Sequence, residues 1–210
     1  QKKEFAEILC AESGKPMKYA LAEVERAAQT FLIAAEESKR IPKEYISLDW
    51  TKKGEGKEGL IKYFPVGIVA GIAPFNFPLN LPVHKIAPAI ASGCPIILKP
   101  ASSTPLSTLK LALIIDETTL PKGAVSILPM TREVGNMLVT DDRIALLSFT
   151  GSPEVGWEMK KFAGKKKTVL ELGGNAGVIV SKIAADTIEK CINGAFAYSG
   201  QICIHAQRIY

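Results

Sequence analysis

A thiol and a carboxylate near the end of the chain have the surroundings of reactive groups. Cys203 closes the turn Gly200-Gln201-Ile202-Cys203, which follows a predicted helix. Glu171 opens the segment Glu171-Leu172-Gly173-Gly174. Such a thiol is a candidate nucleophile, and such a carboxylate is a candidate general base. Taken alone, each is one of several: the chain has four cysteines and 21 acidic residues.

Two further polar residues follow predicted strands. Asn76 lies between Phe75 and Phe77 in a segment bounded by prolines. An amide on so stiff a loop is suited to stabilise an oxyanion, and it is equally suited to cap the next helix. Lys99 follows three apolar residues and precedes a proline. It is either a contact for a ribose or phosphate or a surface lysine leaving the sheet.

The segment 149–156 ends a predicted strand and opens a helix, with Ser152 as cap and Pro153 in the first turn. A helix start after a glycine turn presents free backbone N–H groups to a phosphate. Its G-x-x-x-x-G spacing differs from the dinucleotide fingerprint G-x-G-x-x-G. The pattern is therefore equally typical of a tight strand-to-helix turn.

The histidines and cysteines do not predict a metal site. His84 and His205 are too isolated to form one, or to build a Ser/His/Asp constellation. The cysteines show no paired spacing, which argues against disulfides and zinc and favours a reducing compartment, with the cytoplasm as the expected location. They occupy positions 10, 94, 191 and 203.

Composition excludes several classes of protein. With 210 residues, 47% of them hydrophobic, and a mean hydropathy of +0.15, the chain can bury a core. The 26 basic and 21 acidic residues are scattered, which favours a solvated surface over a nucleic-acid interface. The most apolar region, 79–98, contains Lys85 and several turn residues, so it does not predict a membrane span of about 18 residues. The charged start lacks a signal peptide, and its opening Gln suggests a fragment.

The first 64 residues predict two helices and a hairpin. Apolar residues follow the helical period over 3–13 and 17–38, and Gly14 ends the first helix. The segments 45–50 and 60–64 flank a charged glycine-containing turn. Because an isolated hairpin is marginal in water, we expect this one to pack on another chain or domain.

From Val66 onward, short apolar strands alternate with helices. Strands are predicted at 66–72, 95–98, 124–128, 144–149 and 168–172. Helices are predicted at 79–92, 105–119, 132–139 and 153–162, the second with Thr104 as cap and Pro105 at its first position. This alternation indicates an α/β fold with a doubly wound, Rossmann-like parallel sheet, which binds ligands at the carboxyl ends of its strands.

The last part of the chain predicts the start of a second α/β domain. A strand at 177–180 and a helix at 185–199 precede the Cys203 turn, and 208–210 begins a strand with nothing after it to pair with. We therefore divide the chain into N-terminal helices (1–42), an oligomerisation-type hairpin (43–64), a dinucleotide-binding domain (65–172) and the beginning of a catalytic domain (173–210).

Taken together, these stretches resemble the aldehyde dehydrogenase superfamily from about residue 15 to the end. The matching motifs are P-F-N-F-P at 74–78, L-K-P-A-S at 98–102, T-P-L-S at 104–107, F-T-G-S at 149–152, E-L-G-G at 171–174 and G-Q-I-C at 200–203. The resemblance implies oxidation of an aldehyde to an acid. The alternatives are an inactive dinucleotide-binding fragment of such an enzyme and a CoA-acylating member, which the carboxylate at 171 disfavours.

The resemblance also implies catalytic roles. Cys203 would be the nucleophile that forms a thiohemiacetal and then a thioester. Asn76 and the backbone N–H of Cys203 would stabilise the oxyanion, and Glu171 would activate water to release the acid.

The implied cofactor is NADP or NAD. The positions implied to contact it are Ile72, Ala73, Pro74, Phe75, Lys99, Ser102, Gly135, Phe149, Thr150, Gly151, Ser152, Val155 and Leu172. Lys99 would bind the adenine ribose and Ser152 the pyrophosphate. Many NAD-preferring members have Glu at position 102, whereas Ser102 carries no charge to repel a 2′-phosphate, so we expect NADP to be accepted. The stretch 131–135 departs from the glycine-rich form common there, with Gly135 as its best match.

The resemblance further implies a small hydroxylated or phosphorylated aldehyde, or succinate semialdehyde, as substrate. It also implies a homodimer or homotetramer built through the hairpin, with neither nucleic acid nor a membrane as partner.

Overall fold

Two helices open the chain in the computed structural model, which describes residues 1–210. Helix α1 spans Lys2–Ser13 and helix α2 spans Met17–Ser38, as the apolar periodicity predicts. Gly14 ends α1 with a left-handed backbone, φ 68°. This leaves Gly14, Lys15 and Pro16 as the whole connection between the helices.

A two-stranded hairpin follows α2. Strand β1 (Glu44–Ser47) pairs antiparallel with β2 (Glu58–Ile61). Both strands are shorter than predicted, and Trp50 and Phe64 lie outside them with 79% of each residue exposed. The hairpin therefore presents large aromatic surfaces to solvent.

A five-stranded parallel sheet forms the centre of the chain, which confirms the predicted α/β fold. Its strands are β3 (Ile68–Ile72), β4 (Ile96–Lys99), β5 (Val125–Ile127), β6 (Ile144–Thr150) and β7 (Lys167–Glu171). Their order is β5-β4-β3-β6-β7, and every neighbouring pair is parallel. The order reverses at β3, which is the switch point of a doubly wound sheet.

Helices cover both faces of this sheet. They are α3 (Asn80–Ala91), α4 (Leu106–Asp116), α5 (Arg132–Thr140) and α6 (Pro153–Phe162). Val69 packs with α1 to α4 in one apolar cluster, whereas its neighbour Ala70 belongs to a second cluster with Val139 of α5 and Val155 of α6. Successive strand residues face opposite sides, so β3 joins the two cores.

The start of α4 differs from the prediction. The helix begins at Leu106, and Thr104 does not cap it, because the Thr104 hydroxyl donates to the Phe75 carbonyl at 3.4 Å. The carboxylate of Glu12 on α1 accepts instead from the N–H groups of Leu106 at 2.7 Å and Ser107 at 3.2 Å. A carboxylate at a helix start satisfies its free donors and complements its dipole.

The last part of the chain contains β8 (Gly177–Val178), α7 (Thr187–Phe196), a 3-10 turn over Ala197–Gly200 and β9 (Arg208–Ile209). The predicted strand and helix are present but shorter. Strand β9 pairs in parallel with β8, which precedes it in the chain. No residue of α7 is buried. No helix of the structure combines the length and apolarity needed to cross a membrane.

Candidate active site

The candidate residues meet at the carboxyl edge of the sheet. Ile72, the last residue of β3, is paired with Lys99 on one side and Phe149 on the other. Thr150 is paired in turn with Glu171 on β7. The parallel register therefore carries the loops after four strands to one side of the molecule.

Asn76 lies on the loop after β3 and reaches the Cys203 turn. Its Nδ2 donates to the backbone carbonyl of Gln201 at 2.7 Å. Its Oδ1 is buried and has no hydrogen-bond partner. The predicted amide donor is thus hydrogen bonded to a residue that lies two positions before Cys203.

Cys203 lies against the loop that follows Glu171. A Cβ built on Gly174 would be 2.4 Å from the carbonyl oxygen of Cys203, so only glycine permits this approach. The Gln207 side chain also donates to the Gly174 carbonyl at 2.8 Å. Cys203 and Glu171 are both exposed, and all four cysteines are free thiols. The structure therefore brings together the two backbone segments that carry the predicted nucleophile and base.

Lys85 is a site residue that the sequence reasoning missed. Its Nζ donates to Ser148 Oγ at 3.0 Å and to Thr150 Oγ1 at 2.9 Å, and only 6% of the residue is exposed. Burial lowers the pKa of Lys85 to about 8, and the nearby Glu171 carboxylate acts in the opposite direction. The sequence does carry one sign of it: Lys85 is the one lysine in a predicted helix of mostly apolar residues.

Lys99 and Gly135 are in contact. Lys99 is 9% exposed, its Nζ donates to the Pro100 carbonyl at 3.0 Å, and burial lowers its pKa. A Cβ on Gly135 would be 3.0 Å from Lys99 Cδ, so the glycine gives the lysine stem its space. Ser102 lies in the exposed turn that follows.

The start of α6 has the geometry of an anion site. Ser152 caps the helix by accepting from the Val155 N–H at 3.5 Å, and Pro153 begins it, as predicted. A Cβ on Gly151 would be 2.4 Å from the Phe149 ring, and one on Gly156 would be 2.4 Å from Leu172 Cδ2. The Phe149 ring therefore packs against Gly151, and Leu172 packs against Gly156.

The remaining positions that are predicted to contact the cofactor differ in exposure. Ile72 and Ala73 are buried, Pro74 is half-buried and Phe75 is 48% exposed. A cleft of about 350 Å³ opens between α5 and α6, with Val155 in its wall. A glycine-cradled helix start, a buried lysine and a cleft between two helices fit a dinucleotide. No group of three or more His, Cys, Asp or Glu residues lies together as a metal site would require.

The close approach at Gly174 makes a first prediction. Gly174→Ala places a methyl group against the Cys203 carbonyl, and overpacking of this kind costs about 1–3 kcal/mol. The Val180 and Tyr210 amides, which hydrogen bond across β8 and β9, should then exchange with D₂O about tenfold faster or more.

Gly173→Ala is the matched control. Its Cβ would meet only Pro153 atoms at 3.5 Å, an ordinary contact, and neither glycine has a left-handed backbone. Equal exchange rates in the two variants would contradict the close approach.

The lowered pKa of Lys85 makes a second prediction. Between pH 8 and the ordinary pKa of 10.5, the unfolded chain binds more protons than the folded one, so the free energy of unfolding should rise with pH. Lys85→Met should lose this rise, which amounts to a few kcal/mol. Urea unfolding of both proteins at several pH values measures it.

Lys18→Met, at an exposed lysine of α2, is the control. It should keep the wild-type pH dependence. Parallel curves for wild type and Lys85→Met would show that Lys85 does not titrate in this window.

Comparison with known proteins agrees with this geometry. The model of the aldehyde dehydrogenase family matches residues 1–210. The chain is 43% identical over 215 aligned residues to 3-sulfolactaldehyde dehydrogenase of Priestia aryabhattai, and the alignment covers 100% of this chain and 45% of that protein.

Two solved structures superimpose closely. Aldehyde dehydrogenase 21 from Physcomitrella patens, in complex with the reaction product succinate, gives a TM-score of 0.96 at 54% identity over 99% of this chain and 44% of that one. Glyceraldehyde-3-phosphate dehydrogenase GapN from Methanocaldococcus jannaschii, complexed with NADP, gives 0.92 at 40% identity over 99% and 46%. The chain thus spans less than half the length of these relatives. It belongs to the aldehyde dehydrogenase family.

Proposed function

We propose that the complete protein oxidises a small aldehyde to a carboxylic acid with NADP or NAD. The observation that carries this proposal is the convergence of Asn76, Glu171 and Cys203 at one edge of the sheet, beside a cradle that fits a dinucleotide. Three relatives named as dehydrogenases of aldehydes align with all or nearly all of the chain.

Cys203 acts first in this proposal. Its thiolate attacks the aldehyde carbonyl carbon, and the carbonyl oxygen becomes an oxyanion. Asn76 Nδ2 and the backbone N–H of Cys203 donate to that oxyanion. Two points support this role: the Asn76 amide lies against the Cys203 turn, and Cys203 is exposed. One such donor contributes about 10²–10³ in rate in other enzymes.

Glu171 acts in the second half of the reaction. A nicotinamide cofactor, when bound, would accept the hydride of the thiohemiacetal, and Cys203 would then carry the acyl group as a thioester. The Glu171 carboxylate takes a proton from water, the resulting hydroxide attacks the acyl carbon, and the C–S bond breaks to release the acid and the thiolate. Its exposure gives water access.

The residues at the end of β4 support NADP as a cofactor. Lys99 provides a cation, and the exposed Ser102 places no carboxylate where a 2′-phosphate would be. The GapN structure named above contains NADP.

The substrate class proposed is a small aldehyde that carries an anionic group. The names of the relatives mention sulfolactaldehyde, glyceraldehyde 3-phosphate and the product succinate. Two cations act near Tyr198. Lys15 Nζ lies 5.9 Å from its ring centroid, and the guanidinium of Arg26, exposed on α2, opposes the rise in the pKa of Tyr198 that burial and Tyr19 cause. A guanidinium there would attract an anionic substrate.

Rapid mixing of the complete protein with an aldehyde and either cofactor tests the third prediction. Wild type should form NADPH from anionic aldehydes in preference to neutral ones of the same size. Cys203→Ser should form none. Glu171→Gln should keep one rapid turnover of NADPH but lose about 10²–10⁴-fold in steady state, because only deacylation needs the base.

Cys191→Ser, at a half-buried thiol of α7, is the control and should keep wild-type turnover. Acid formation by Cys203→Ser would remove the nucleophile assignment. Loss of the rapid turnover in Glu171→Gln would contradict the assignment of Glu171 to the second step alone. Activity with NAD but not with NADP would contradict the expectation that NADP is accepted.

We also propose a homodimer or homotetramer in the cytoplasm. The exposed aromatics of the hairpin and the four free thiols support these two assignments. Trp50→Ser combined with Phe64→Ser should lower the molar mass measured by sedimentation equilibrium, because burial of large aromatic side chains stabilises interfaces. Leu113→Ser, at a residue of α4 that is 62% exposed, should not change it. An unchanged mass in the hairpin variant would exclude this interface.

A further inference from the structure

The ion pair between Lys15 and Glu23 differs from all others in the chain because both side chains are buried. Lys15 belongs to the short connection between α1 and α2, and Glu23 lies on α2; their side chains are 6% and 0% exposed. The other ion pairs lie at least partly in solvent. Burying two charges gains little net stability, so the geometry that the pair imposes is the feature to explain.

The two side chains bind the two ends of the Asn76 loop. Lys15 Nζ donates to the backbone carbonyl of Asn76 at 2.9 Å. Glu23 Oε1 accepts from the N–H groups of Leu79 and Asn80, each at 3.0 Å, where α3 begins. The ion pair therefore links the backbone at the two ends of the segment 76–80. It fixes the backbone from which the Asn76 amide projects.

The same ammonium lies beside the aromatic residues that support the Cys203 turn. Lys15 Nζ is 4.4 Å from the centroid of the Phe77 ring and 5.9 Å from that of Tyr198. Tyr198 packs on Tyr19 at 4.4 Å and on Phe77 at 5.0 Å between centroids. Cation–π contacts of this kind are stronger away from water. Lys15 thus contacts the Asn76 loop and lies beside Tyr198, two residues before the Cys203 turn.

We propose that Lys15 and Glu23 are positioning residues that set the Asn76 amide against the Cys203 turn. The proposal rests on the function proposed above, in which Asn76 Nδ2 donates to the oxyanion. Neither residue contacts the substrate or the cofactor; the pair acts through the Asn76 backbone and the Tyr198 ring. Its loss should slow acylation of Cys203, while cofactor binding at Lys99 and Ser152, on other loops, is retained.

The test uses the complete protein and the double variant Lys15→Met with Glu23→Gln. A single substitution would leave the other charge buried and unpaired, which is strongly destabilising, whereas the double variant removes both charges. The amide introduced by Glu23→Gln keeps a carbonyl oxygen for the Leu79 and Asn80 N–H groups. Glu4→Gln with Lys110→Met is the matched control, because it removes an ion pair between α1 and α4 that is half-exposed and remote from the loop.

Three quantities are measured: the rate of the first NADPH turnover at saturating NADP, the Kd for NADP and the thermal midpoint. We expect the double variant to lose about 30–100-fold in the first-turnover rate, since small misplacements of reacting groups cost about this much. Its Kd for NADP should stay within about twofold of wild type, and the control variant should match wild type in all three.

An unchanged first-turnover rate in a folded double variant would overturn the proposal. A parallel loss of rate and NADP affinity would also overturn it, because that pattern indicates general structural damage. If wild type itself forms no NADPH from any aldehyde, the proposed function fails. The positioning role is then decided by a crystal structure of the double variant, in which the 2.7 Å bond from Asn76 Nδ2 to the Gln201 carbonyl should be lost.

Discussion

The parallel register between β3 and its two neighbours is the constraint on which the rest of the structure depends. It pairs Ile72 with Lys99 and with Phe149, so the loops that follow leave the sheet at the same level. A slip of one residue would reverse the face on which every following side chain lies. Gly71 in the same strand has a further role, because a Cβ there would be 2.8 Å from Leu98 and 3.3 Å from the stem of Lys85. The centre of the sheet is thus built to leave room for a buried lysine.

Besides Lys99, the chain buries Lys15 and Lys85 beside this edge and satisfies these two in different ways. Lys15 is paired with the carboxylate of Glu23 and completes its donors with a backbone carbonyl. Lys85 has only the hydroxyls of Ser148 and Thr150, and its pKa falls because burial is not offset by a buried partner. Thr150, which accepts from Lys85, is paired with Glu171 on the neighbouring strand, and the Glu171 carboxylate acts to raise the pKa of Lys85. The first lysine fixes backbone geometry, and the second places a cation close to Glu171.

The sequence could predict those features of the fold and the candidate site that depend on local patterns of residues. Alternating apolar strands and helices were enough to expect the parallel sheet, and the position of Asn76, Lys99 and Ser152 after strands was enough to expect them on one side. Contacts between residues distant in sequence were not accessible. Glu12 replaces Thr104 at the start of α4 from 94 residues away, and Lys15 meets the Asn76 carbonyl from 61 residues away. The pairing of β8 with β9 was missed because strands so short carry no periodicity.

The N-terminal helices are linked to the candidate site through the turn that carries Cys203, the proposed nucleophile. Tyr198 and Ser199 have left-handed backbones, φ 55° and 56°, and Gly200 follows at 70°. For residues other than glycine, such conformations cost of order 1–3 kcal/mol each and persist only where the surroundings enforce them. Tyr19 of α2 and Phe77 beside Asn76 pack on the Tyr198 ring, so they are the groups that enforce it. The conformation that presents Cys203 is therefore stabilised by residues more than a hundred positions earlier in the chain. The same packing ties the position of Cys203 to that of Asn76.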